Sequence, residues 1–180
     1  NPQLLAFQSR ELDYANVPPD MIPNALDGGN RLKPYYAEQG VRHWRLTQPA
    51  LTYTYFNMRD PLVGGYSKEK IALRRAMIMA YDQDTEVRVL RKGLAKNNYM
   101  PIPPGVVGYN PNYPPTNRYD PAAANLLLDK FGYRRGADGY RSLPDGQPLT
   151  ITLASEPQSS SRELAELWRK SLENVGIRLE

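Results

Sequence analysis

Apolar residues recur at helical spacing along several stretches of the chain. Over 68–81, Leu73, Met77 and Ala80 form one row and Ile71 with Ile78 an adjoining one, predicting a helix with a wide core-facing stripe behind Ser67 as its N-cap. Asp82 or Asp84 then caps a second helix that runs to about Arg91 and stops at Gly93. Asp120 followed by Pro121 sets a carboxylate N-cap before a proline at the first helical position, and Gly132 is the matching stop after Leu126, Leu127, Leu128 and Phe131. Ser160 with Glu163 has the spacing of a capping box, and Leu164, Leu167, Trp168, Leu172 and Val175 follow until Gly176. Shorter helices are expected over 3–10, from Pro19 to Gly28-Gly29, and over 33–39 before Gly40.

Alternation with period two marks the strands. In 41–48, Trp44 and Leu46 share a parity and should face a core, opposite Val41, His43 and Arg45. In 51–58, rich in strand formers, Thr52, Thr54 and Phe56 lie on one face and Tyr53, Tyr55 and Asn57 on the other. Residues 140–143 and 149–154 flank Pro144-Asp145-Gly146 as a hairpin, and 177–179 begins a further strand. A strand, a helix and a strand over 149–179 imply a right-handed parallel crossover, hence a sheet with a parallel part. Between 94 and 119 there are six prolines and no periodicity, which predicts a long ordered loop pinned by proline and buried tyrosine.

Composition narrows the picture. At 180 residues, 41% of them apolar, the chain has the length of one domain of about 100–200 residues and enough apolar side chains for a core. Seventeen prolines and thirteen glycines, about a sixth of the chain, favour long loops over low complexity. The formal charge of +4 comes from scattered basic residues such as Arg31, Lys33, Arg74, Arg75, Arg134 and Arg135. Nucleic acid is therefore not an expected partner, since neutralising a run of phosphates needs a dense patch. Without cysteine, thiol nucleophiles, disulfides and thiolate zinc sites are excluded, whereas the compartment stays open. No window approaches about 18 consecutive apolar residues, so no membrane-spanning segment is expected. The chain starts without Met, inside what reads as a short helix, and its last strand is reached as it ends, which suggests a segment of a longer protein.

Candidate chemistry is sparse. His43 has no cysteine or carboxylate beside it and reads as a structural or surface residue. Asp82, Asp84 and Glu86 form an acidic cluster, but at a helix junction capping outweighs a catalytic pair. Asp129 and Asp138 lie near an Asp-Gly turn, yet Phe131, Tyr133, Arg134 and Arg135 stand where calcium ligands would be needed, so no metal site follows. Tyr53, Tyr55 and Asn57 place two phenols and an amide on one strand face, either a half-buried sheet face or the wall of a ligand cleft.

The ordered motifs SRELDYANVPPDM, TYTYFNMRDP, SKEKIALRRAMIMAYDQDTEV, PIPPGVVGYNP, YDPAAANLLLDKFGY, DGYRSLPDGQPLTITL and ELWRKSLENVGIRLE resemble the extracellular solute-binding proteins of ABC importers, the peptide- and nickel-binding group known as family 5. The resemblance covers nearly the whole chain and departs from the family at Arg134-Arg135, where acidic residues would stand. It implies an α/β fold with a mixed sheet flanked by helices, residues 1–180 being one domain within lobe II, the C-terminal lobe, of a two-lobed periplasmic-binding-protein-like molecule. It also implies a binding rather than catalytic role, with no cofactor. A peptide or small solute would be captured against Tyr53, Tyr55 and Asn57, with the remaining lobe completing the cleft and the ABC permease subunits receiving the cargo. The full-length protein would then be exported to the periplasm or cell surface. Two other readings are carried alongside: a hydrolase using Asp82, Asp84 and Glu86, and a stand-alone peptide-interaction domain built on the sheet edge at 177–179.

Overall fold

The computed structural model describes residues 2–18, 21–115, 118–157 and 159–180. Its centre is a helix pair. Helix α4 (Lys68–Ala80) begins where the Ser67 hydroxyl accepts from the Lys70 backbone N–H, and it buries the predicted row Leu73, Met77 and Ala80 together with Ala72 and Ala76, while Ile71 and Ile78 of the adjoining row lie at its margin. Helix α6 (Pro121–Lys130) begins at Asp120, whose carboxylate accepts from the Ala123 N–H at 2.8 Å, and turns off at Gly132 with φ +84°. The small side chains of Ala76, Ala80 and Ala124 let α4 and α6 approach closely around Leu73 and Leu128. Of the three consecutive leucines in α6, Leu128 is fully buried, Leu127 partly, and Leu126 faces out, as a period of 3.6 demands.

A single predicted helix after Asp82 is instead two pieces. Helix α5 (Gln83–Thr85) gives way to a π-helical turn (Glu86–Leu90) in which the Arg91 N–H donates to the Glu86 carbonyl at 2.9 Å. The wider turn brings the Arg91 guanidinium over the Glu86 carboxylate at 3.0 Å.

Residues 140–149 form the expected hairpin through the Ser142–Pro148 bridge, with Gly146 at φ +90°. Strand β1 (Thr150–Ile151) pairs in parallel with β2 (Arg178–Leu179), Thr150 opposite Arg178, and helix α7 (Ser159–Asn174) makes the crossover. Ser160 lies inside the first turn of α7 instead of ahead of it. The mixed sheet is reduced, among the described residues, to this parallel pair and isolated antiparallel bridges beside it. Leu149, Ile151, Trp168, Leu172, Val175 and Ile177 close the core against α4 and α6.

Towards the N-terminus, α1 (Pro2–Gln8), α2 (Ile22–Ala25) and α3 (Pro34–Ala37) surround a second small cluster of Ile22, Ala25, Leu26 and Tyr36. Helix α2 stops at Ala25, and Gly28-Gly29 sit in the turn that bridges Leu26 to Leu32, held by Asp27 accepting from the Gly29 and Arg31 N–H groups. The predicted start at Pro19 lies outside the described residues.

Two expectations fail. Residues 41–48 and 51–57 lie in neither strand nor helix, Met58 begins a turn, and 42–56 share no backbone–backbone hydrogen bond with any described residue. Trp44 and Leu46, expected in a core, are 68% and 82% exposed. Strand propensity measures how well a side chain fits a neighbouring strand, and no described segment supplies that neighbour. The loop over 94–119 runs without helix or strand among its described residues, but Tyr99, Tyr113 and Tyr119 are exposed, not buried. It is held by its own turns and by the Asn98 amide, which donates to the Met100 and Ile102 carbonyls. No helix among the described residues is long and apolar enough to cross a membrane.

Candidate binding cleft

An open concavity of about 2130 Å³ lies between the two buried clusters. Drug-sized pockets occupy about 300–1,000 Å³, so this space suits an extended ligand or one face of a larger cleft. Its base is the Tyr81 ring stacked on Trp168, centroids 4.1 Å apart and planes at 20°. The two rings come from the end of α4 and the middle of α7, and their packing fixes the base to the main core. The Tyr81 hydroxyl donates to Glu86 at 2.7 Å. Burial first, and then that carboxylate, pushes the phenol well above its usual range, so it stays a neutral donor. Phe7 of α1, the 93–104 loop and the unladdered segment 41–54 supply the walls.

The predicted ligand-facing residues separate on this segment. Tyr53 lines the concavity, and the Tyr55 ring sits 6.3 Å from it at 50°, both largely exposed. Phe56, on the opposite parity, packs on the main core as expected. Asn57 folds back, its side-chain oxygen accepting from the Arg59 N–H at 3.1 Å, so its amide is engaged in a local turn outside the lining. His43 lines the space as an exposed residue, and no group of three or more metal-binding side chains occurs among the described residues.

Sequence reasoning missed the Tyr81–Trp168 base, because both residues read as ordinary members of helical apolar rows. It also placed Trp44 and Leu46 in a core when they are wall residues. No signal in the sequence marks this, since 51–58 stands within hairpin distance as an apparent partner strand and the two segments do not pair.

The acidic cluster is engaged in structure. Asp82 accepts from the Thr85 N–H at 2.9 Å and from its hydroxyl at 2.7 Å, Asp84 accepts from the Asn97 amide at 2.7 Å, and Glu86 holds Arg91 and Tyr81. These are three separate tasks, and no shared proton site results. Asp82→Ala is expected to cost about 0.5–2 kcal/mol as a lost N-cap. A urea titration should show a lower midpoint at unchanged slope; an unaltered midpoint would refute the capping role.

Comparison with known proteins gives a consistent result. The family model "Bacterial extracellular solute-binding proteins, family 5 Middle" matches residues 1–180. A probable ABC transporter-binding protein of Deinococcus radiodurans is 24% identical over 188 residues, covering 99% of this chain and 30% of that protein. The oligopeptide-binding protein OppA of Mycobacterium bovis is 32% identical over 114 residues, covering 61% of this chain and 19% of that protein. The crystal structure of NikA from Brucella suis in complex with Fe(III)-EDTA superposes with a TM-score of 0.69 at 26% identity, over 100% of this chain and 34% of that one. These residues thus span at most about a third of the proteins they match. With the family model matched from end to end, this chain belongs to the bacterial extracellular solute-binding proteins, family 5.

Proposed function

We propose that these residues form part of lobe II of a two-lobed substrate-binding component of an ABC importer. It captures a peptide or similar small solute and delivers it to membrane permease subunits from the outer side of the bacterial membrane. The observation that carries this reading is the open, aromatic-walled concavity, one side of which is a segment with an unpartnered backbone. A second lobe facing that side would convert an open wall into a closed cleft. Family membership and the relatives named as oligopeptide-binding and ABC transporter-binding proteins support the same assignment.

The physical mechanism is differential stabilisation. A solute that touches both lobes stabilises the closed form by contacts absent from the open one, and the permease can then distinguish loaded from empty protein. Exposed rings accommodate varied side chains, while the backbone of 42–54, which makes no backbone–backbone hydrogen bond with a described residue, offers N–H and C=O groups to a peptide backbone.

The test is calorimetric titration of the full-length polypeptide with a pool of short peptides. Tyr53→Ala is expected to weaken binding about tenfold, a loss near 1.4 kcal/mol, as for a truncated aromatic contact. Tyr55→Ala should weaken it less, since that ring supports Tyr53 from outside the lining. Unchanged affinity in Tyr53→Ala would remove this wall from the site, and no heat from any peptide would count against peptide capture.

A further inference from the structure

Much of the chain's positive excess gathers on the concavity. Lys and Arg number 23 against 19 Asp and Glu in the full sequence. Among the described residues of the lining, Arg10, Arg42, Arg45, Arg91 and Lys96 stand with two carboxylates, Asp13 and Glu86. Glu86 is already neutralised by Arg91 at 3.0 Å. Among the described residues, Arg10, Arg42, Arg45 and Lys96 make no ion pair, and no hydrogen bond is formed by their side chains. Outside the lining, Arg31, Arg141, Arg169 and Arg178 pair with Asp27, Asp129, Glu166 and Asp138, whereas Arg59, Arg75 and Arg134 among others make no ion pair among the described residues, so what marks the concavity is the gathering of its cations on one concave surface.

Arg42 and Arg45 have opposite parities in an extended chain, yet both reach the space because the segment crosses it with no strand among the described residues on either side. Unpaired cations around one concave, aromatic-walled surface focus a positive potential into it. A planar guanidinium meets a carboxylate through two parallel N–H donors, a geometry that a neutral amide cannot match in strength.

We propose that the cleft selects solutes bearing several carboxylates, held by Arg42 and Arg45 with Arg10 and Lys96 adding to the field. This rests on the solute-capture reading above and names the chemistry of the cargo. Carboxylates can come from acidic side chains of a peptide or from a small polycarboxylate, and the two sources are separable by experiment.

Full-length protein is titrated with the pentapeptides Ala-Glu-Ala-Glu-Ala, Ala-Gln-Ala-Gln-Ala and Ala-Lys-Ala-Lys-Ala, and with citrate. The glutamate peptide is expected to bind at least about tenfold more tightly than its glutamine counterpart, the size of one charge-assisted contact, and the lysine peptide weakest. Arg42→Gln combined with Arg45→Gln should narrow that gap, both positions being exposed and so tolerant of substitution. Raising salt should weaken the glutamate peptide more than the glutamine one. Citrate binding more tightly than the glutamate peptide would identify a small polycarboxylate as the source, and the reverse order an acidic peptide. Equal affinity for glutamine and glutamate peptides, or a preference for lysine, overturns the charge selection while leaving peptide capture standing. Binding of none of the four overturns both.

Discussion

Arg141→Met is expected to lower the stability of the protein by about 3–5 kcal/mol, the sum of leaving two buried carbonyls without a charged donor at about 1–3 kcal/mol each. The Arg141 side chain is 2% exposed and sits where three segments meet. Its Nε donates to the Val175 carbonyl at 2.7 Å, one terminal nitrogen to Asn125 at 2.8 Å, and the other to Asp129 and to the Tyr133 carbonyl. The guanidinium thereby ties α6, the turn after it and the end of α7 to the hairpin. Methionine fills much of the same volume but donates nothing, leaving the Val175 and Tyr133 carbonyls without this donor in a buried place.

Arg141→Lys should recover little, because a compact ammonium cannot reach four acceptors spread around the three nitrogens of a planar guanidinium. Asp129→Asn should cost far less than Arg141→Met, since the Asp129 side chain is 59% exposed and an amide oxygen can still accept. For a chain of this size each kcal/mol moves the thermal midpoint by roughly 2–4 °C, so Arg141→Met should melt about 6–20 °C lower. Thermal unfolding of the three variants side by side decides the matter: equal midpoints for Arg141→Met and Asp129→Asn would mean that the ion pair, not the carbonyl clamp, is the contribution.

Arg141 also shows where reading the sequence stops. Its inward parity, shared with Leu143 in the hairpin, is written in the alternation, yet nothing in one sequence distinguishes a buried arginine from a solvated one. The helices were legible because their ends carry local chemistry: Ser67 and Asp120 accept from N–H groups three residues on, and Gly132 and Gly176 take the positive φ that stops a helix. The parallel crossover through α7 was legible for a similar reason, since a strand, a capped helix and a strand permit few arrangements. The strands at 41–48 and 51–58 were misread because their partners are not set by local sequence. For the cleft, the sequence pointed at the Tyr53 and Tyr55 face without choosing its role, and the family resemblance suggested the choice. The stacked Tyr81–Trp168 base and the unpaired Arg42 and Arg45 become visible only once distant segments are brought together.

Gly64→Ala is the second substitution with a large expected effect, and it connects the helix core to the cleft wall. Gly64 is buried in the turn between the 51–58 segment and α4, its N–H donating to the Asp60 carbonyl at 2.9 Å. A methyl group there would collide with the backbone oxygens of both Asp60 and Met58. The turn cannot yield easily. The Asp60 carboxylate accepts from the Leu62 and Val63 N–H groups at 2.8 and 2.9 Å, Leu62 and Val63 pack on the core, and the Lys70 and Arg74 side chains of α4 hold the Pro61 and Val63 carbonyls.

Relief must therefore come from Met58 and the extended residues before it, which include Tyr53. The expected cost is about 3 kcal/mol, the upper end for overpacking because the opposing atoms are backbone. Gly28→Ala is the matched control: nothing lies within 4 Å of the added carbon, so its effect should be near zero or stabilising by about 0.4–1 kcal/mol through a stiffer unfolded chain. Urea midpoints and peptide affinities measured together on both variants in full-length protein test the coupling. Gly64→Ala should lose stability and solute affinity together, whereas Gly28→Ala keeps both. A Gly64→Ala protein that is destabilised but binds as tightly as the parent would show that the turn supports the core without positioning the Tyr53 wall.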